Sequence, residues 1–154
     1  MSLDDDIDRL GRVPILSAMN YEALRLLAFA AESCSFPAGT AIFQKGEAAE
    51  AGYLITSGTV WLGDTPAAST GAAASPAAGR AVGPGTLLGE QALLSTAQRP
   101  VTAWAEDAVT AVKISRKLVA RVLQEYPANA IAIRQAWAAK LGARMRHIKD
   151  EERP

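Results

Sequence analysis

Between residues 33 and 62 the sequence is divided into short strand-like runs by regularly spaced turn signals. The runs are Ser33–Phe36, Thr40–Phe43, Tyr53–Thr56 and Thr59–Leu62. Turn residues separate them at Pro37-Ala38-Gly39, Lys45-Gly46-Glu47 and Ser57-Gly58. Short strands with this punctuation are typical of a sandwich, jelly roll or barrel. Two later runs, Thr102–Ala105 and Thr110–Ile114, predict the last strands of the same sheet structure.

Helical patterns flank this β region on both sides. Ahead of it, residues 21–29 place apolar side chains on one face, with Ser17 or Asn20 as the possible N-cap. Behind it, Ser115 caps one helix, and Pro127 starts a longer one that runs to about residue 148. We therefore expect a single domain over residues 1–154, with a helical segment at 1–31, a β-roll at 32–115 and C-terminal helices at 116–150.

Residues 64–80 interrupt the strand pattern. This segment contains no aromatic or large aliphatic side chain and consists mostly of alanine, serine, threonine, glycine and proline. Burial cannot offset the entropy of ordering such a composition, so we expect a mobile surface loop within the β-roll. A partner-docking role is the alternative.

Composition and charge exclude several classes of function. The 16 Lys and Arg residues balance the 16 Asp and Glu residues, so no global field attracts the chain to nucleic acid. We expect no direct nucleic-acid partner. The sequence has no apolar run of membrane-spanning length and no signal peptide, which predicts a cytoplasmic protein that does not contact membranes. One histidine cannot build a metal site of the cupin kind, and His147 is too remote in sequence for a Ser/His/Asp or Cys/His set, so we expect no metal and no enzyme.

Candidate binding chemistry concentrates between Gly83 and Ala103. Gly89 lets the backbone approach a ligand closely, and the short helix-capable turn after it presents N–H groups that favour an anion. Arg99 adds a planar, charged fork suited to phosphate, whereas the Glu90 carboxylate suits a hydroxyl group. Together these groups suggest a sugar phosphate held from two sides. Taken alone, Arg99 would most simply be a solvated surface cation.

The spacing of these residues resembles a known motif. Gly89-Glu90-x-Ala92-Leu93 followed by Arg99-x-x-Thr102 is similar to the phosphate-binding cassette of cyclic-nucleotide-binding domains. The earlier strand runs, with Pro37-Ala38-Gly39 and Gly46-Glu47 between them, also resemble the first half of that domain. The resemblance covers most of the chain. It implies a mainly β fold, an antiparallel eight-stranded jelly roll with an N-terminal helix and C-terminal helices.

The same resemblance implies roles for individual residues. Glu90 would hold the ribose 2′-hydroxyl, Arg99 would hold the cyclic phosphate, and backbone amides of the short turn would complete the pocket. The ligand-binding residues implied in this segment are Leu88, Gly89, Glu90, Gln91, Ala92, Arg99, Pro100, Val101 and Thr102. The chain departs from the family at Pro100, where an N–H group usually reaches the phosphate, because proline has none.

The last helix carries large apolar side chains that are too numerous for a solvated tail, namely Ile131, Ile133, Trp137, Leu141 and Met145. In the family that the chain resembles, this helix covers the base as a lid or pairs with its twin in a dimer. Trp137 would then stack on the base, and Arg134 would contact it by a cation–π interaction or a hydrogen bond. The alternative, that this stripe only packs on the roll or on a partner helix, stays open.

These observations favour a cyclic-nucleotide-binding regulatory module that signals through its last helix to an unidentified protein partner. In the family that the chain resembles, a hydroxyl-bearing residue two places after the arginine favours guanine, and Val101 stands at that place here, so the resemblance implies a preference for cyclic AMP over cyclic GMP. The domain is expected to stand alone without a helix-turn-helix, and a homodimer through the last helix is possible. A degenerate domain that mediates protein interaction or dimerisation without nucleotide is the alternative, and a catalytic jelly roll is a third.

Overall fold

The computed structural model describes residues 3–64 and 79–152, with side chains up to residue 139. The chain divides into two compact units. One unit, Phe29–Ala120, contains the described strands, and the other, Met1–Ala28 with Arg121–Pro154, is helical.

The strand unit contains two four-stranded antiparallel sheets. Its described strands are β1 (Glu32–Phe36), β2 (Ala41–Phe43), β3 (Ala48–Ala49), β4 (Ala51–Ser57), β5 (Val60–Leu62), β6 (Arg80–Val82), β7 (Leu87–Leu88), β8 (Ala97–Gln98), β9 (Ala103–Ala105) and β10 (Val109–Ser115). The sheet orders are β1-β10-β4-β7 and β2-β9-β5-β6, and β3 pairs with β8 in a separate ladder. The eight strands of the two sheets confirm the predicted antiparallel roll.

The core of the strand unit is built from both sheets. Along β9 the inward residues Ala103 and Ala105 are buried, whereas Trp104 between them is half-buried, as period-two alternation requires. The buried cluster contains Ile42, Phe43, Ile55, Val60, Leu88, Ala103, Ala105 and Val109. Phe36, Tyr53, Leu62 and Val82 pack against it.

The six predicted strand runs all form strands, with ends that shift by at most two residues. The strands that the sequence pattern did not predict, β3, β6, β7 and β8, are two or three residues long, and among their residues none is aromatic and Val82 alone is β-branched. The expected loop boundary at residue 80 is wrong, because Arg80 begins β6 and pairs with Leu62. Residues 65–78 of that expected loop lie outside the described residues.

Three helices begin where the sequence predicted, at Tyr21, Arg116 and Pro127, and a further helix begins at Leu3 within the expected N-terminal helical segment. They are α1 (Leu3–Gly11), α2 (Tyr21–Ala30), α3 (Arg116–Glu125) and α4 (Pro127–Glu152), with single 3₁₀ turns η1 (Leu16–Ala18) and η2 (Glu90–Leu93). The Asn20 side chain caps α2 by accepting from the Ala23 N–H group at 2.9 Å. Ser115 caps α3, where its hydroxyl accepts from the Leu118 N–H group at 3.1 Å. Both contacts satisfy backbone donors that have no partner within a helix.

One hydrogen bond connects the N-terminal and the C-terminal segments of the helical unit. The side-chain oxygen of Asn129, near the start of α4, accepts a hydrogen bond from the Asn20 N–H group at 2.6 Å. Asn129 is buried, so this bond replaces water at both groups. None of the helices among the described residues combines the length and the apolar character that crossing a bilayer requires.

Candidate functional site

Gly89 sets the geometry of the segment that the sequence singled out. Its backbone is left-handed, with φ of 75° and ψ of 40°, and η2 begins at the next residue. An L-residue in this conformation costs about 1–2 kcal/mol. A Cβ atom at Gly89 would also collide with the guanidinium of Arg99. The position therefore requires glycine both for its backbone conformation and for the approach of Arg99.

The turn η2 is anchored in the core by its apolar side chains. Ala92 and Leu93 are each 1% exposed, whereas Gln91 lies on the exposed side of the turn. The Ala92 N–H group donates to the Gly89 carbonyl at 3.0 Å. The Ala92 amide, which the sequence analysis assigned to the ligand, is therefore engaged within the turn, and Ala92 serves as its buried anchor.

Arg99 is buried, with 5% of its surface exposed. Among the residues whose side chains are described, it is the one buried ionisable residue. Its guanidinium carbon lies 4.1 Å from the centroid of the Phe43 ring and 5.8 Å from that of Tyr53, and Nη2 donates to the Ala51 carbonyl at 2.6 Å. The simpler interpretation of Arg99 as a solvated surface cation is therefore wrong.

Arg99 has donors that its surroundings leave unused. Nε and Nη1 are both buried and have no hydrogen-bond partner among the described residues. Burial lowers the pKa of Arg99, while the nearby acidic groups of Tyr53 and Glu47 act in the opposite direction. An arginine keeps its charge in a protein, so a positive group with unpaired N–H donors is held out of water here. Such a group favours an anionic acceptor.

The backbone of Arg99 is fixed by the turn at residues 45–47. The Arg99 N–H group donates to the Glu47 carbonyl at 2.8 Å, and the Arg99 carbonyl accepts from the Gly46 N–H group at 2.9 Å. These bonds extend the β3–β8 ladder by a further pair. The turn signal Lys45-Gly46-Glu47, which predicted only a strand end, therefore also positions the arginine.

The remaining predicted residues of this segment surround Gly89 and Arg99 in different ways. Leu88 is buried in β7 and pairs with Tyr53, and Glu90 is half-buried. Pro100 is exposed and Val101 is half-buried. Thr102 is buried, and its hydroxyl oxygen accepts from the Lys45 N–H group at 3.0 Å, so it holds the neighbouring loop.

The two residues expected to contact the base lie on α4, in the helical unit. Trp137 is half-buried and Arg134 is exposed. Their contact with a base stays a prediction. Of the apolar residues on this helix, Ile133 is fully buried and Ile131 is 61% exposed. The side chains of Leu141 and Met145 lie outside those described.

Sequence reasoning missed the residues that surround Arg99. Phe43 and Tyr53 supply the rings, and Ala51 supplies a carbonyl acceptor. Phe43 and Tyr53 lie in strands on either side of the turn at residues 45–47. That proximity in sequence was an available signal, but strand aromatic residues most often belong to a core, as these two also do.

Comparisons with known proteins identify relatives of the chain. The family model described as "Cyclic nucleotide-binding domain" matches residues 33–126, well over half of the sequence. The chain is similar to the structure of a cyclic nucleotide-binding-like protein from Brucella abortus bv. 1 str. 9-941, with 35% identity and a TM-score of 0.66. That match covers 79% of this chain and 99% of the other. No curated protein matches the sequence.

Two further solved structures share the fold. The N-terminal domain of a transcriptional regulator from Streptomyces coelicolor A3(2) has 26% identity and a TM-score of 0.76, covering 92% of this chain and 95% of that one. The sensor domain of the transcriptional regulator DNR from Pseudomonas aeruginosa has 20% identity and a TM-score of 0.72, covering 99% and 96%. The second likeness concerns the fold alone.

Proposed function

The chain belongs to the cyclic nucleotide-binding domain family, and from this premise we propose that it binds a cyclic nucleotide, preferentially cyclic AMP, as a regulatory module without catalytic turnover. The observation that carries the proposal is the state of Arg99. Its buried Nε and Nη1 donors have no protein acceptor among the described residues, and an unpaired donor of this kind costs about 1–3 kcal/mol. Phosphate oxygens would satisfy these donors with charge-assisted bonds.

The rest of the proposed site follows from residues around Arg99. Gly89 keeps the backbone beside the guanidinium free of a side chain. Glu90, half-buried beside it, is proposed to accept a hydrogen bond from the ribose 2′-hydroxyl. Val101 offers no hydrogen bond to a base, which supports cyclic AMP over cyclic GMP.

Calorimetric titration tests this proposal directly. Cyclic AMP should bind the parent protein more tightly than either cyclic GMP or 2′-deoxy cyclic AMP. Glu90→Gln should cost about 1–2 kcal/mol of cyclic AMP binding, since an acceptor remains but its charge is lost. Glu106→Gln is the matched control, because Glu106 is an exposed glutamate between β9 and β10. Arg121→Met serves the same purpose for arginine substitutions, because Arg121 is a 70% exposed arginine of α3 whose ion pair is with Glu125. Absence of heat with both nucleotides at millimolar concentration would refute the function.

The proposed output of the module is a movement of α4, with Trp137 stacking on the base and Arg134 beside it. A variant that keeps only Trp137, with Trp61→Phe and Trp104→Phe, should change fluorescence on addition of cyclic AMP. Trp104→Phe also removes the hydrogen bond from Nε1 to the Gly63 carbonyl at 3.1 Å, so the variant's melting curve should be checked first. Unchanged intensity and quenching at saturation would leave α4 as a packing or dimer element.

A second function is favoured by one observation. Pro100 has no N–H group, which removes a backbone donor that a phosphate would use. This supports the alternative of a protein-interaction or dimerisation module that binds no nucleotide. Thermal melting separates the two, because a ligand at about 100 times its dissociation constant stabilises by roughly 2.7 kcal/mol.

A further inference from the structure

Two arginines hold three consecutive backbone carbonyls where β3 leads into β4. Nη1 of Arg116 donates to the Ala49 carbonyl at 3.1 Å, and the backbone N–H of Arg116 donates to the Glu50 carbonyl at 2.8 Å. Nη2 of Arg99 donates to the next carbonyl, that of Ala51, at 2.6 Å. The carbonyl groups that the two arginines bind therefore belong to one short stretch of backbone, residues 49–51.

Arg116 also reaches the end of the turn η2. The same Nη1 atom donates to the Ser95 carbonyl at 3.1 Å. The Ser95 N–H group donates in turn to the Gln91 carbonyl at 3.2 Å, which ties Ser95 to η2. Because Nη1 carries two hydrogens, it can serve both carbonyls at once. Arg116 is the first residue of α3. Its guanidinium therefore connects the start of this helix to residues 49–51 and, through Ser95, to η2.

We propose that Arg116 is a positioning residue that couples occupancy of Arg99 to the start of α3, an inference that rests on the proposed function. An anion bound by the unpaired Nε and Nη1 donors attracts the same guanidinium whose Nη2 atom holds the Ala51 carbonyl. A shift of the guanidinium towards the anion therefore weakens one of the three hydrogen bonds on residues 49–51. Arg116, bonded to two of these residues, passes the change to the first turn of α3.

The position of Arg116 separates this role from direct binding. Its contacts are with backbone carbonyls of the strand unit, and its side chain is only half-buried. Water can replace it at the Ser95 carbonyl, where the bond is exposed. We therefore expect Arg116→Met to fold and to bind nucleotide with nearly the parent affinity. A role in folding alone would change stability but not the response of α3 to ligand.

Amide hydrogen exchange measured by NMR tests the coupling. The reporters are the Arg116 amide, bonded to Glu50, and the Leu118 amide, bonded to the Ser115 hydroxyl. In the parent, saturating cyclic AMP should change their exchange by about fivefold or more, the lower end of typical coupling between sites. Arg116→Met should reduce that response by about twofold to 30-fold. Arg116→Lys, which keeps donors, should restore it, and Arg121→Met should respond as the parent does.

A response in Arg116→Met equal to that of the parent would overturn the proposal, whatever the stability of the variant. A second arm needs no ligand and no change at Arg116. Arg99→Met removes the bond to Ala51, so without nucleotide it should speed exchange of the Arg116 amide, and unchanged exchange would also overturn the coupling. If the parent binds no cyclic nucleotide, the proposed function fails, while this arm still decides whether the two arginines are coupled.

Discussion

Arg99→Met should separate ligand binding from stability. Methionine keeps much of the length and apolar packing of the arginine but carries no charge and no donor. In the parent, Arg99 is buried against Phe43, with one bond to Ala51 and two nitrogen atoms without partners among the described residues. The substitution therefore removes favourable and unfavourable terms from the folded state together.

The magnitudes of these terms nearly cancel. The charge-assisted bond to Ala51 contributes about 1.5–3 kcal/mol, and unpaired Nε and Nη1 each cost about 1–3 kcal/mol. The cation–π contact with Phe43 contributes about 0.5–2 kcal/mol. We expect the free energy of unfolding to change by less than about 2 kcal/mol, or about 8 °C in Tm.

Binding should respond quite differently. Loss of one partner from a buried charge pair costs about 2–5 kcal/mol, and this corresponds to a Kd for cyclic AMP raised by about 30- to 5,000-fold. Calorimetric titration gives the Kd, and thermal melting without nucleotide gives the stability. Arg121→Met controls for loss of an arginine and should leave both quantities near their parent values.

Two results would refute this reasoning about Arg99. Equal Kd values in parent and variant would show that the unpaired donors do not meet the ligand. A fall in Tm of more than about 15 °C without nucleotide would show that the arginine stabilises the fold far more than its contacts indicate.

Substitutions at three further positions test other parts of the structure. Gly89→Ala should lower Tm by about 2–8 °C, because of its left-handed backbone and the contact of the added Cβ atom; an unchanged melting curve would contradict this. Asn129→Ala should destabilise by about 1–3 kcal/mol in urea unfolding, since the Asn20 N–H group loses its acceptor, whereas Asn129→Asp retains an acceptor and most of the stability. Burial raises the pKa of the Cys34 thiol, whereas Lys113 lowers it. Because burial has the larger effect, Cys34 should be alkylated at pH 8 more slowly than glutathione, and more slowly still in Lys113→Met, where the lowering effect is lost. Rates equal to that of glutathione would contradict the last prediction.

The features that sequence predicted are those that local signals determine. The caps at Asn20 and Ser115 and the helix start at Pro127 each depend on residues within one turn of helix, and the structure has all three. The six predicted strands were visible because their residues alternate or share β-branched and aromatic character. Strands of two residues, such as Ala48–Ala49, carry no such pattern and form because a partner strand lies opposite.

The burial of Arg99 could not be predicted because it depends on contacts that are distant in sequence. The rings of Phe43 and Tyr53 and the Ala51 carbonyl come from strands that meet Arg99 only after the roll has formed. Spacing between Glu90 and Arg99 indicated the chemistry of the candidate site but not its solvation. The loss of solvation determines how much free energy the arginine gains when its N–H groups bind an acceptor.

Pro100 determines how the proposed site must hold its anion. Proline supplies no N–H group, and the Ala92 N–H group is already bonded to Gly89. Among the described residues, the buried side-chain nitrogen atoms without a partner both belong to Arg99, with one N–H group on Nε and two on Nη1. Backbone amides are unaffected by substitution, whereas a guanidinium can be removed entirely. In the proposed site, affinity should therefore depend on Arg99 more steeply than it would where backbone amides share the phosphate.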